Sequence, residues 1–310
     1  LGPDPKTVAK QSAANARRAA EEQYAKDTLA ATGLGQGIVS SQMLLDQMNG
    51  DDGELTAQRA AADREWTYGH IVVDEAQELT AMDWRMLIRR CPSRSFTIVG
   101  DVAQTSALAG TRRWDKTMNR LFGEGHWDLN ELTINYRNPQ EVSDLASRFA
   151  QNEGLYISTV NAVRALPDSV SRHVVDDMKA LLTVTSNQAA QLANHFVSAD
   201  GTGRIAIICP DDLIKPVREA VRHRLSSLMA PSEYQRLIDQ PEWDEQISVC
   251  GTEMVKGLEF DAVIVIEPGR IEDDAPSRLV AASDLYVATT RPTQKLVIVR
   301  TKEDERSLNI

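Results

Sequence analysis

The stretch that decides the fold is Tyr68-Gly-His-Ile-Val-Val-Asp-Glu-Ala-Gln77. Its apolar run, Ile71 to Val73, is short and β-branched throughout, a pattern typical of a strand buried on both faces of a parallel α/β sheet. Asp74 and Glu75 follow directly, at the strand end where open α/β sheets bind ligands. The alternative is an ordinary strand followed by an acidic turn, because Asp-Glu pairs are common.

The two carboxylates suit phosphoryl-transfer chemistry. Mg²⁺ is usually held by one or two carboxylates together with substrate phosphates, so Asp74 is a candidate Mg²⁺ ligand. Glu75, one residue further along, is a candidate for positioning or deprotonating a water molecule. This stretch alone does not distinguish the catalytic interpretation from the acidic turn, so the rest of the chain has to decide.

Length and composition restrict the class of protein. The chain has 310 residues and a mass of 34.3 kDa, enough for two domains with their own cores. Its apolar runs are far shorter than the ~20 residues that cross a bilayer, so no membrane association is expected. Leu1 rather than Met opens the chain, which indicates a fragment, and no secretion leader is recognisable. Three scattered cysteines suit a reducing cytoplasm, so a cytoplasmic location is expected.

The chain changes character near residue 68. Residues 6–31 are rich in Ala, Lys and Glu and predict a helix, and shorter helical patterns follow at 40–49 and 54–66. Residues 33–37 contain three glycines, but no Gly-Lys-Ser/Thr follows, so a turn is favoured over a phosphate loop. We therefore expect a helical arm or the end of an insertion over residues 1–67, followed by an α/β region.

Strand and helix patterns alternate from residue 68 to the end. A helix is predicted over 80–90, a strand over 95–99, and helices ending near 151 and spanning 186–198. Further strands are predicted over 171–175, 204–209, 246–251, 261–268 and 295–299, with a helix ending at Arg291-Pro292. This pattern predicts two α/β lobes with parallel sheets and flanking helices.

Polar side chains recur at the ends of these elements. Gln104 follows the strand over 95–99, where it suits contact with a phosphate or a water. Arg137 and Arg291 are loop arginines in the tight local frames Tyr-Arg-Asn-Pro and Thr-Thr-Arg-Pro. Loop arginines are commonly solvated surface, but a guanidinium placed at a cleft stabilises charge on a transferred phosphoryl group. A phosphoryl-transfer site shared between two lobes is therefore indicated.

Five blocks together resemble motifs II to VI of superfamily 1 helicases of the UvrD/Rep type. They are Val73-Asp-Glu-Ala-Gln77, Ile98-Val-Gly-Asp-Val-Ala-Gln104, Asn135-Tyr-Arg137, Thr252-Glu-Met-Val-Lys-Gly-Leu-Glu-Phe260 and Leu285-Tyr-Val-Ala-Thr-Thr-Arg291. The resemblance covers residues 68–310. It implies the C-terminal part of one RecA-like lobe, 68–128, followed by a complete second RecA-like lobe, 129–310.

The resemblance also implies roles for single residues in ATP hydrolysis with Mg²⁺. Asp74 is similar to the Mg²⁺ ligand, Glu75 to the base for the attacking water and Gln104 to the γ-phosphate sensor. Arg137 and Arg291 are similar to the two arginines that meet the γ-phosphate. For the nucleoside, Tyr136 resembles the aromatic residue that stacks on adenine, Glu259 the residue that reaches the ribose, and Gly257 the glycine that permits close approach.

Two departures from the family pattern matter for function. No G-x-x-x-x-G-K-[ST] occurs, so we expect a missing N-terminal part of the same protein to supply the phosphate loop. After Gln104 the chain reads Thr105-Ser-Ala-Leu-Ala-Gly110, without the Tyr and Trp-Arg that usually follow and stack on DNA. Trp114 is a substitute only at a different spacing. Stacking contributes ~1–3 kcal/mol per base, so weak or indirect contact with nucleic acid is expected.

The wording Asp74-Glu-Ala-Gln-Glu-Leu79, Trp84-Arg-Met-Leu87 and Arg89-Arg-Cys-Pro-Ser-Arg94 is most similar to actinobacterial HelD-like proteins. That likeness implies an ATPase that binds RNA polymerase and helps to release it from nucleic acid. The net charge of −11 agrees with a protein partner, since nucleic-acid binders usually carry a basic excess. The alternative is an ATP-dependent 3′–5′ DNA helicase or translocase in DNA repair. A third reading is a helicase-like lobe that only binds.

Overall fold

The computed structural model describes residues 67–198, 200–239 and 246–304. The chain divides into two units, Leu1–Trp66 and Thr67–Ile310, and the described residues belong to the second. The helices expected over 6–31, 40–49 and 54–66, and the glycine turn at 33–37, lie outside the described residues. So does the expected arm over 1–67, apart from its last residue.

The first described part is a small parallel sheet with two helices. Its elements are β1 (Ile71–Val73), α1 (Ala81–Arg90), β2 (Phe96–Ile98) and α2 (Trp114–Phe122). β1 pairs with β2 in parallel, with Ile71 opposite Phe96. Thr80 and Asp83 form a capping box that begins α1, as their spacing in the sequence allows.

Only one face of this small sheet is covered by its helices. Val73, Trp84 of α1 and Met118 of α2 are buried together, with Phe96 and Trp114 packed against them. Val72, by contrast, is 68% exposed. The expectation that β1 is buried on both faces is therefore wrong. Alternate side chains of a strand point to opposite faces, and the helices of the described chain pack on the face of Val73.

The larger part is built around a five-stranded sheet in the order β5-β9-β8-β6-β7, with every pair parallel. Its strands are β5 (Val170–Val175), β6 (Ile205–Ile208), β7 (Ile247–Cys250), β8 (Phe260–Ile266) and β9 (Pro292–Thr301). A separate parallel pair is formed by β3 (Ile134–Pro139) and β4 (Asn161–Arg164).

Helices cover both faces of the five-stranded sheet. They are α3 (Gln140–Asn152), α4 (Met178–Phe196), α5 (Asp211–Leu228), α6 (Pro231–Ile238), α7 (Pro268–Asp274) and α8 (Arg278–Thr290). One core joins the sheet to α3 and α8 and a second joins it to α4 and α5. The near-continuous apolar runs of β6 and β8 follow from this, because both of their faces are buried.

This topology confirms the predicted α/β class, with parallel sheets and flanking helices. Two details of the prediction are wrong. α4 begins at Met178 rather than at 186, because the Asp177 side chain caps it by accepting from the Ala180 N–H at 2.7 Å. Arg137, expected in a loop, lies within β3. None of the helices in the described ranges is long and apolar enough to cross a membrane.

Candidate functional site

The site begins where β1 ends. Glu75 adopts a left-handed conformation, with φ of 48° and ψ of 36°, and its N–H donates to Asp74 Oδ1 at 2.9 Å. A short 3-10 helix, Ala76–Glu78, follows immediately. Both carboxylates are exposed. A non-glycine residue in this conformation is uncommon. Contacts with neighbouring residues must therefore hold the turn that carries the two acids.

Gln77 connects the Glu75 carboxylate to the loop after β2. Its side chain is buried, and its Nε2 donates to Glu75 Oε2 at 2.7 Å. Its Oε1 accepts from the backbone N–H of Asp101 at 3.1 Å. The two strand ends are also joined through the backbone, because Ala76 N–H donates to the Val99 carbonyl at 3.0 Å. The acidic turn and the β2 loop therefore form one rigid piece.

The Asp101 side chain organises that loop and reaches Gln104. One carboxylate oxygen accepts from the Ala103 N–H at 3.0 Å, and the other accepts from Gln104 Nε2 at 2.9 Å. Burial raises the pKa of Asp101, although the hydrogen bond from Gln104 opposes that effect. Because the Gln104 Nε2 donates to Asp101, the Gln104 Oε1 is left to accept a hydrogen bond from another group.

Arg291 meets Gln104 from the junction of α8 and β9. Its Nη2 donates to Gln104 Oε1 at 2.7 Å, and its Nε donates to the Val287 carbonyl at 3.2 Å. The side chain is 3% exposed. Burial lowers the pKa of Arg291, and the neighbouring Arg137 lowers it further, while the nearby carboxylates of Glu75, Glu259 and Asp101 act in the opposite direction. The structure thus brings Glu75, Gln104 and Arg291 into one connected arrangement.

Arg137 lies beside Arg291 in a more exposed position. It forms an ion pair with Glu259, and both side chains are largely open to solvent. The Asn135 side chain accepts from the Arg137 N–H at 2.9 Å, which fixes the backbone that carries the guanidinium. Arg137 of β3 and Arg291, which lies between α8 and β9, therefore face the same region, one exposed and one buried.

Asn138 and Arg164 hold these two arginines at a fixed separation. Asn138 Nδ2 donates to the carbonyls of Thr290 and Pro292, on either side of Arg291, at 2.9 and 2.8 Å. Arg164 Nη1 donates to the carbonyls of Arg137 and Thr293 at 2.8 and 2.7 Å. Neither residue was recognised from the sequence. Their only signal was the Asn-Pro that follows Arg137, which predicts a turn but no partner.

The residues expected to bind nucleotide and metal are exposed at the protein surface. The Tyr136 ring is 69% exposed, and Gly257 has a φ of +71° with open space where a side chain would be. In the described part of the chain, no group of three or more metal-ligating side chains comes together. An exposed Asp74 still fits Mg²⁺, since that ion takes one or two carboxylates and completes its shell with phosphates and water.

Trp114, the tryptophan considered for DNA stacking, begins α2 and packs against the small core around Met118. It is only partly buried and also lines a cavity beside β2. The loop before it is tied down, because the Glu78 carboxylate accepts from the N–H groups of Ser106 and Ala107 at 3.0 Å each. Ser106 Oγ also donates to Asp284 Oδ1 of α8 at 2.5 Å, a second contact between the loop after β2 and the helices of the five-stranded sheet.

Among known proteins, similarity is found only to solved structures. No model of a protein family matches the chain, and no curated protein matches it. Among solved structures, it is similar to the C-terminal domain of a possible DNA helicase from Lactobacillus plantarum WCFS1. The identity is 18% and the TM-score is 0.37, over 54% of this chain and 88% of that domain.

Proposed function

We propose that this chain carries the catalytic cleft of an ATPase of the superfamily 1 helicase type. The observation that supports the proposal is the connected arrangement of Glu75, Gln104 and Arg291. It combines a water-directing acid, a polar sensor and a buried guanidinium, the groups that hydrolysis of a phosphoanhydride needs. Such chemistry is largely positioning and charge stabilisation, and the hydrogen bonds across the two lobes supply positioning.

Each side chain has a distinct place in this proposal. Glu75 accepts the proton of the attacking water, and Arg291 and Arg137 stabilise the charge that develops on the γ-phosphate. Gln104 contacts the γ-phosphate or the water. Asp74 would hold Mg²⁺, which would supply positive charge against the phosphates. Tyr136 stacks on adenine, Glu259 reaches the ribose and Gly257 permits close approach.

The phosphate loop is proposed to come from a part of the protein outside these 310 residues. In the described chain β2 pairs only with β1, so its other edge is available for a further strand. A cavity of about 700 Å³ runs along that edge, lined by Phe96, Ile98, Gly100 and the loop residues Leu129 and Leu132. An additional parallel strand placed there would bring a loop to the same sheet end as Asp74.

At a finer level, we propose that the whole protein binds RNA polymerase and releases or remodels it on nucleic acid. The charge of −11 and the absence of the usual Tyr and Trp-Arg after Gln104 support a protein partner. The second candidate is a 3′–5′ DNA helicase or translocase. It is favoured by the same cleft geometry, because a cleft of this kind serves either machine.

The catalytic assignment is tested with Glu75→Gln in the full-length protein. We expect ATP binding to be retained and turnover to fall by about 10²-fold or more, because only water activation is lost. Binding is measured with a fluorescent ATP analogue and turnover by phosphate release. The matched control is Glu219→Gln, an exposed glutamate on α5, which should behave as wild type. Normal turnover in Glu75→Gln would remove the proposed role.

A further inference from the structure

Gln77 stands out because its amide is buried and each end of it has a defined partner. The side chain is 1% exposed. The backbone N–H of Asp101 can only donate, so the atom it contacts at 3.1 Å must be the amide oxygen. The amide nitrogen therefore faces Glu75 Oε2, at 2.7 Å, as its donor. The direction of this amide is fixed by chemistry.

The glutamate at the other end has few constraints of its own. Glu75 is exposed, and it lies at a left-handed residue between a strand and a 3-10 helix. An exposed glutamate normally samples several rotamers. A general base works efficiently only when its carboxylate is held in one orientation toward the water molecule. The hydrogen bond from Gln77 binds one carboxylate oxygen and leaves Oε1 for a water molecule.

The surroundings leave little freedom for Gln77. A Cβ atom at Gly100 would lie 2.4 Å from Gln77 Oε1, so the amide occupies space that only a glycine leaves open. The chain of contacts then continues through the Asp101 carboxylate and Gln104 to Arg291. Displacing the Gln77 amide would therefore affect the Glu75 carboxylate and the loop that presents Gln104 together.

We propose that Gln77 is a positioning residue for catalysis, which orients the Glu75 carboxylate and links it through Asp101 and Gln104 to Arg291. This inference rests on the proposed ATPase function. It assigns Gln77 no contact with substrate. Gln77 holds the Glu75 carboxylate in one orientation. It also keeps that carboxylate at a fixed position relative to Gln104 and Arg291.

The test is the nearly isosteric variant Gln77→Glu in the full-length protein. When protonated, the introduced carboxyl still donates to Glu75 and accepts from the Asp101 N–H. When ionised, it repels Glu75 and Asp101, with Arg291 and Arg137 as the nearby positive groups. We expect the kcat of the variant, divided by wild-type kcat at each pH, to fall by about 10-fold or more as pH rises from 5 to 8. KM for ATP should change much less.

Two further variants make the result specific. Gln77→Leu cannot donate at any pH, so its kcat ratio should be low and independent of pH. Gln151→Glu makes the same chemical change at an exposed position at the end of α3 and should leave the ratio near one. A kcat ratio for Gln77→Glu that does not change with pH would overturn the inference.

Thermal unfolding of the same proteins gives a readout that does not need activity. Burial beside Glu75 should raise the pKa of the introduced carboxyl above its unfolded value of about 4.3. A raised folded pKa stabilises most below the unfolded pKa, and that stability is lost as pH rises through the folded pKa. The Tm gap to wild type should therefore widen from pH 5 to pH 8.

The outcomes separate the inference from the proposed function. Inactive wild-type protein would overturn the proposed ATPase and with it a catalytic role for Gln77. A widening Tm gap would still show that a negative charge at position 77 is unfavourable in the folded protein. An active wild type, with a constant Tm gap and a constant kcat ratio, would overturn the inference and leave the ATPase standing.

Discussion

At the scale of single residues, Arg291 is a buried guanidinium whose hydrogen-bond acceptors leave its positive charge unneutralised. Burying a guanidinium is costly unless it is hydrogen-bonded. Its acceptors in the described chain are the neutral oxygens of Gln104, Val287 and Leu258, at 2.7, 3.2 and 3.4 Å. Neutral acceptors satisfy the N–H groups without cancelling the charge. The positive field therefore remains available to an anion that enters the cleft.

This placement predicts a large effect of substituting Arg291. In the full-length protein, Arg291→Ala should lower kcat on the order of 10³-fold, because an arginine of this kind stabilises the developing phosphate charge. Arg291→Lys should fall in between, since lysine keeps the charge but loses the planar fork. ATPase assays and thermal unfolding together measure the effect. Arg222→Ala, on the exposed side of α5, is the matched control.

A folded Arg291→Ala protein with an ordinary rate would contradict the proposed role. A protein with a much lower Tm would instead show that the arginine is mainly structural. The lysine variant distinguishes these cases, because it retains the buried charge and most of the side-chain volume.

At the scale of elements, the turn between α4 and β6 is built by side chains and two glycines. Asp200 Oδ1 accepts from the Ser198 hydroxyl at 2.5 Å, the Thr202 N–H at 3.0 Å and the Thr202 hydroxyl at 2.7 Å. These hydrogen bonds, chiefly that from Ser198, lower the pKa of Asp200 to about 2. Gly203 follows with a φ of +87°, and a Cβ there would lie 1.9 Å from the Phe196 carbonyl oxygen.

Two glycines of this turn give a matched pair of substitutions. Gly201 has a φ of +89° but open space around it, so Gly201→Ala should cost only the backbone strain of about 1–2 kcal/mol. Gly203→Ala adds a clash with backbone and should lower the free energy of unfolding by about 3 kcal/mol or more. Urea denaturation of both variants measures the difference. Equal losses would show that the backbone shifts freely to make room.

At the scale of the whole molecule, the distribution of charge and aromatic groups decides which partner is favoured. A protein with a net charge of −11 gains little from counterion release on binding nucleic acid. Trp114 packs against the small core as a partly buried residue. Tyr136 is exposed and directly precedes Arg137, which pairs with Glu259.

We therefore expect the full-length protein to be retained on an RNA polymerase column with modest salt sensitivity and to bind single-stranded DNA weakly. Single-stranded DNA should stimulate its ATPase little. Column retention, fluorescence anisotropy and ATPase assays over a salt series measure these properties. Strong stimulation of the ATPase by DNA, processive unwinding and no retention by polymerase would contradict this prediction. They would favour the second candidate function, a 3′–5′ DNA helicase or translocase.

The sequence by itself determined the parallel α/β sheets and where most strands lie. The β-branched runs of β6 and β8 are sufficient for this, because only strands buried on both faces are so uniformly apolar. Element ends were less predictable. The start of α4 depends on one cap at Asp177, and the exposure of Val72 depends on which helices pack against β1.

The sequence also indicated Glu75, Gln104 and Arg291 as candidates, but only the tertiary structure decided how they connect. Gln104 and Arg291 are 187 residues apart in the chain, yet their side chains meet at 2.7 Å. Gln77, Asp101, Asn138 and Arg164 became visible as organising residues only in the fold. A hydrogen bond depends on distance and direction between atoms, and no pattern along the chain specifies where two distant backbones place their side chains.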